Sequence, residues 1–167
     1  MKRQKGFSLI ELLIVVAIIL IIAAIAIPNL LRSKMAANEA SAVGSIRTIN
    51  TAQVTYSSTY GTGYGLTLVT LGGAASPCTA TAAAACLIDP VLSTGIKSGY
   101  TFSSAATLLV GTVYNGFEVE GHPNSVGTTG QRSFCSDQTG VIRFDPAGTT
   151  IATNAGACSL IVAVLGN

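Results

Sequence analysis

From Leu9 to Ile27 every position is apolar except one, Glu11. Counted from Phe7, the segment has 21 residues, and as a helix it would be about 31 Å long, close to the hydrocarbon thickness of a bilayer. Beyond Pro28 the pattern acquires a helical period. At 100° per residue Leu31, Met35, Ala42, Val43, Ile46, Ile49 and Tyr56 fall in one arc of less than half the circumference, interrupted by Glu39 and Asn50. One long helix is expected from Phe7 to about Tyr60, roughly 80 Å at the standard rise. Pro28 is expected to kink or locally unwind it, because proline lacks an N–H and its ring crowds the carbonyl of residue 24. The glycine-rich run GTGYG at 61–65 ends the helix, with Gly61 suited to the left-handed conformation that helix ends favour.

The remaining pattern is that of short strands. Residues 66–98 are rich in Ala, Thr, Gly and Ser and read as a mostly irregular connection. In GYTFSS, Tyr100 and Phe102 alternate with polar neighbours, and in NGFEVEG Phe117 and Val119 share one face while Glu118 and Glu120 take the other. The two glutamates are therefore expected on a salt-bridged or hydrated, solvent-facing side of the strand, and His122, before Pro123, in a loop. RSFCSDQTGVIRF reads as a hairpin turning near Gln138 to Gly140, with Ile142 and Phe144 on one side of its second arm. CSLIVAVL is either a strand or a buried tail. The expected class is α+β: a long bent N-terminal helix whose striped half covers the apolar face of a small antiparallel sheet.

Charge and cysteines narrow the chemistry. Only 10% of the 167 residues are charged and 49% are hydrophobic, a poor composition for a free soluble monomer. Of nine Lys and Arg, three (Lys2, Arg3, Lys5) precede the apolar run, leaving six against seven acids, so no basic surface for nucleic acid is expected. Basic residues before the run and none within it place the N-terminus in the cytoplasm by the positive-inside rule. Cys78, Cys86, Cys135 and Cys158 lack the paired spacing of a zinc site, and His122 is the single histidine. Disulfides in an oxidising compartment are the expectation. Four cysteines allow three connectivities, and sequence does not decide between them. Sequential pairing closes the shortest loops and is the one expected. No metal or cofactor site is expected, since no complete calcium ligand set surrounds Asp137 or Asp145. The few titratable groups outside the helix give no convergent acid–base set, and an enzyme is not expected.

Lys5-Gly6-Phe7-Ser8-Leu9-Ile10-Glu11, behind a short basic leader and ahead of an apolar helix ending in proline, resembles the class III leader of type IV pilins and pseudopilins. The resemblance is specific over residues 2–31 and concerns layout elsewhere, with QRSFCSDQTGVIRF similar to a segment of some bacterial pilin-like proteins. It implies four parts: a cleaved basic leader (1–6), a transmembrane and filament-core helix (7–27), an amphipathic continuation (28–60), and a head (61–167) with connecting loop, antiparallel sheet and disulfide-bounded C-terminal loop. It further implies cleavage between Gly6 and Phe7 by a prepilin peptidase, which then methylates the Phe7 amine. Where relatives commonly carry Thr, this chain has Ser8. The implied product is a structural subunit of a pilus-like filament, held in the bacterial inner membrane and then polymerised with identical subunits at the cell surface through an inner-membrane assembly platform. Glu11 and Pro28 would serve assembly. Apolar rods slide past one another without a preferred register, so a Glu11 carboxylate pairing with the Phe7 amine of a neighbour would set it. A pseudopilin of a type II secretion system is the alternative. An ordinary secreted protein cleaved at Ala24-Ile25-Ala26 is the rival from another class, opposed by Glu11 and by the length of the apolar run.

Overall fold

A computed structural model of the protein describes residues 7–73, 77–153 and 156–165. The leader at 1–6, with Gly6, lies outside them. The chain divides into two compact units, Met1–Lys34 and Met35–Asn167. Helix α1 runs Leu9–Tyr60 and continues through Pro28 without interruption. The expected local unwinding is therefore corrected. A proline removes one backbone bond, whereas unwinding in an apolar run would strand several backbone groups at once. At the other end Gly61 is left-handed, with φ 66°, and its N–H bonds to the Ser57 carbonyl at 3.1 Å.

In the second unit five strands form an antiparallel sheet in chain order: β1 (Ile96–Lys97), β2 (Tyr100–Val110), β3 (Val113–Pro123), β4 (Ser133–Asp137) and β5 (Ile142–Asp145). This is the expected α+β architecture. One sheet face carries Phe102, Phe117, Val119, Phe134 and Ile142, which form a single core with Ala42, Ile46, Ile49, Ala52 and Tyr56 of α1. The stripe read from periodicity is thus the buried face from Ala42 onward, and Leu31 lies outside it at 50% exposure. The connection at 66–98 contains two single-turn helices, α2 (Leu68–Leu71) and α3 (Pro90–Ser93), the latter capped by Asp89. Leu68, Leu71, Ala85, Ile88 and Leu92 belong to the core, so the connection closes one of its sides.

The second sheet face departs from expectation. Glu118 and Glu120 are buried, at 3% and 2% exposure, and His122 lies in β3 rather than in a loop. Strand alternation separates the two faces but does not reveal what covers the second. Here the C-terminal segment covers it: Ile151, Cys158 and Ile161 cluster with Cys135, which sits opposite Glu120 in the β3–β4 register. The segment read as a strand or buried tail is partly each: Cys158 is buried, and Val164 makes an isolated antiparallel bridge to Arg143 of β5. A 3-10 turn at Cys158–Leu160 leads into an edge contact, in which Phe144 N–H bonds the Ala163 carbonyl at 2.9 Å and Leu165 N–H the Ile142 carbonyl at 2.9 Å.

Candidate functional site

The first half of α1 is apolar and uncovered. Leu9 is 79% exposed, Leu20 64% and Ile25 65%, and Phe7 ahead of the helix is 82% exposed. A contiguous apolar surface of this extent requires a bilayer or other protein chains around it, and the helix is long and apolar enough to cross a membrane. Its one charged group before Arg32 is Glu11. The Glu11 carboxylate accepts the backbone N–H of Ser8 at 2.9 Å. With Ser8 preceding the first helical residue and Glu11 three positions on, this is the acidic arm of a capping box. The S-x-x-E spacing was the available signal for a role inside the chain itself. A carboxylate at a helix start also suits the positive end of the helix dipole.

Three polar side chains bind the second half of α1 to the rest of the head. Glu39 Oε1 accepts the N–H groups of Gln131 (2.9 Å) and Arg132 (3.1 Å), and Oε2 accepts Arg132 Nε (2.9 Å) and Nη2 (2.7 Å). Burial alone would raise the pKa of this carboxyl, but those donors together hold it below the ordinary carboxylate range. The Arg132 guanidinium in turn lies over the rings of Phe134 and Phe144, at 5.4 and 5.2 Å. Gln53, fully buried, donates to the Gly65 carbonyl at 3.0 Å, accepts the Gly65 N–H at 2.7 Å and donates to Ser104 Oγ at 3.2 Å. Asn50, which also broke the stripe, donates to Ser136 Oγ at 2.8 Å. The polar interruptions of the apolar stripe are its fastenings, with partners too distant in sequence for any local pattern to show.

Disulfides and a buried carboxyl close the head. Cys78 is bonded to Cys86 and Cys135 to Cys158, with Cα separations of 6.1 and 5.8 Å. Beside the second bridge, Glu118 Oε1 accepts the N–H of Gly156 at 2.9 Å and of Cys158 at 3.2 Å. Burial, and then the facing Asp137, push the Glu118 carboxyl above its ordinary range. Glu120 meets His122 Nδ1 at 3.0 Å and Ser103 Oγ at 3.3 Å, and burial raises its pKa against the pull of the imidazole. Asp137 and Asp145 lie at opposite ends of the β4–β5 ladder, and each accepts hydrogen bonds from its own turn, at Thr139 N and Ala147 N. Among the described residues no group of three or more His, Cys, Asp or Glu side chains is placed to hold a metal ion.

Residues 1–27 match the family model described as a prokaryotic N-terminal methylation motif. The chain is similar to the type IV wide pilus major component PilA4 of Thermus thermophilus, 62% identical over 39 residues, which are 23% of this chain and 30% of that protein. It is also similar to the type IV major pilin protein PilA of Myxococcus xanthus, 46% identical over 54 residues, 32% of this chain and 24% of that protein. The chain thus spans less than a third of the length of the curated relatives it matches. No solved structure gives a significant match.

Proposed function

Given a chain that is type IV pilin-like both in its N-terminal motif and in its fold of long helix and antiparallel sheet, we propose that it is a structural subunit of a pilus-like filament. The observation that carries this reading is the uncovered apolar surface of α1 with a single carboxylate near its start. Before assembly that surface sits in the inner membrane as a single span with its N-terminus cytoplasmic, consistent with Lys2, Arg3 and Lys5 ahead of it. A prepilin peptidase cuts between Gly6 and Phe7 and methylates the new Phe7 amine. An assembly platform then moves the helix from lipid into a bundle of identical helices, and the head remains on the filament surface. The parts follow the same division: leader 1–6, spanning helix 7–27, amphipathic helix 28–60 and head 61–167.

In this scheme Glu11 has two successive partners. In the free subunit it caps its own helix at Ser8 N–H; in the bundle it meets the Phe7 amine of a neighbour and sets the axial register. Exchanging a local hydrogen bond for an ion pair keeps the carboxylate partnered in both surroundings, which limits the desolvation cost of burying it.

The test replaces Glu11 by Ala at equal subunit levels. Processed subunit, identified by a mass starting at methylated Phe7, is expected in the membrane in normal amounts, while sheared filament falls steeply. Glu11→Asp should be intermediate. Normal filament from Glu11→Ala subunits alone would remove the role assigned to the carboxylate, and a mature chain starting at Ile27 would replace the whole reading by that of an ordinary exported protein.

A further inference from the structure

The loop-covered face of the sheet holds an acid, Glu118, that neither membrane anchoring nor filament assembly uses, and its behaviour is the same whether or not the chain builds a filament. We propose that the Glu118 carboxyl is a pH-sensitive latch on the C-terminal segment, closed when the group carries its proton and loosened when it ionises. Three observations support it. Glu118 is 3% exposed, and its Oε1 takes two backbone N–H groups, of Gly156 and Cys158, from the turn that carries the second disulfide. A neutral acid presents that oxygen as a carbonyl and keeps both bonds. Across the β3–β4 ladder Glu118 stands opposite Asp137, itself buried, so ionising Glu118 places two negative charges side by side in a poorly hydrated site. The second oxygen, Oε2, has no hydrogen-bond partner among the described residues. Glu118 also lines a cavity of about 200 Å³ together with Thr107, Asp137, Gln138 and Ser159 among others.

Among the described residues the neighbouring elements supply no cation to offset the charge. β2 brings Ala105 and, at the cavity, Thr107; the covering segment brings Ser159 and its backbone. On β3 itself Glu120 is already engaged with His122. Arg143 and Asp145 of β5 lie beyond β4, and Arg143 Nη1 donates to the Ile161 carbonyl at 3.2 Å. Like charge from Asp137 and burial therefore act in the same direction, and together they outweigh the two N–H bonds, which favour the ionised carboxyl. The Cys135–Cys158 bond keeps the segment tethered when the latch loosens, so the change is a local opening of the turn rather than loss of the loop.

The experiment is amide hydrogen exchange on the full chain in detergent micelles, with disulfides intact, from about pH 4 to pH 8 and corrected for intrinsic exchange rates. The side-chain carboxyl of Glu118 is followed in parallel by carbon NMR. Glu118 is expected to titrate above the usual carboxylate range. Protection at Gly156 and Cys158 should fall as pH rises from the acid's midpoint in the open segment to its midpoint in the closed one, by about tenfold for each pH unit between them. Glu118→Gln, a permanent mimic of the protonated acid, should hold both amides protected across the range. Asp137→Asn should move the Glu118 midpoint down. Wild-type protection that stays flat through the Glu118 titration would overturn the proposal, as would an equal fall in Glu118→Gln. The wild-type titration decides the matter even if a variant fails to fold.

Discussion

Glu39 shows how much one side chain contributes when all its lone pairs are used. Its four hydrogen bonds join α1 to a loop 92 and 93 residues away, and two of the donors belong to a guanidinium. Hydrogen bonds to a charged group contribute about 1.5–3 kcal/mol net. Glu39→Gln preserves shape and loses charge, so it should lower unfolding free energy at neutral pH by about 2 kcal/mol. The sign of the pH dependence is set by a folded pKa held below the ordinary 4.5. The contribution is fully present above that ordinary value and is lost as pH falls through the lower, folded one. Urea unfolding of wild type and Glu39→Gln should therefore give a constant gap above about pH 5 that narrows in more acid solution. A gap independent of pH would mean that shape rather than charge is what Glu39 supplies.

At the scale of elements, Gln53 and the C-terminal segment matter most. Gln53 fastens the first residues after α1 back onto the helix through both backbone groups of Gly65. Gln53→Leu fills the same space but leaves those two groups unpaired in the core, a loss expected to be about 2–3 kcal/mol by chemical denaturation. Exchange at the Gly65 amide should rise well before global unfolding. The long helix and strands β2 to β5 were legible: period 3.6 marked the helix, period 2 the strands, and Gln138 to Gly140 the turn between β4 and β5. What was not legible is how elements cover one another. Alternation at Phe117, Glu118, Val119 and Glu120 separates two faces without saying that the second is covered. The one signal was Cys135, which shares the parity of the two glutamates through the β3–β4 register and is tied to Cys158. Glu39 and Asn50 carried no signal of their own, because each looks locally like a flaw in an apolar stripe and gains its meaning from a partner elsewhere in the fold. The S-x-x-E at Ser8 to Glu11 was legible by spacing alone, although a role between chains is the more conspicuous one for a charge in an apolar run.

For the molecule as a whole, the two units answer to different solvents. Among the described residues the buried apolar core of the head lies at or beyond Ala42, while the large apolar side chains from Phe7 to Ile27 are exposed. Removing residues 1–34 should therefore leave a soluble, cooperatively unfolding head with both disulfides intact, checked by sedimentation, near-ultraviolet circular dichroism and non-reducing peptide mapping. Aggregation of that fragment would show that the head needs the first unit to fold. Strand order also governs the time course of folding. Each strand pairs with its chain neighbour, so the sheet can zip up hairpin by hairpin without closing a long loop. The helix has no such advantage. Ile46 and Ile49 are synthesised early, yet the core that receives them is complete only when Phe134 and Ile142 have been added. The interval during which the chain is most prone to misassociate is therefore set by the time needed to make the last two strands rather than by the time needed to pair them.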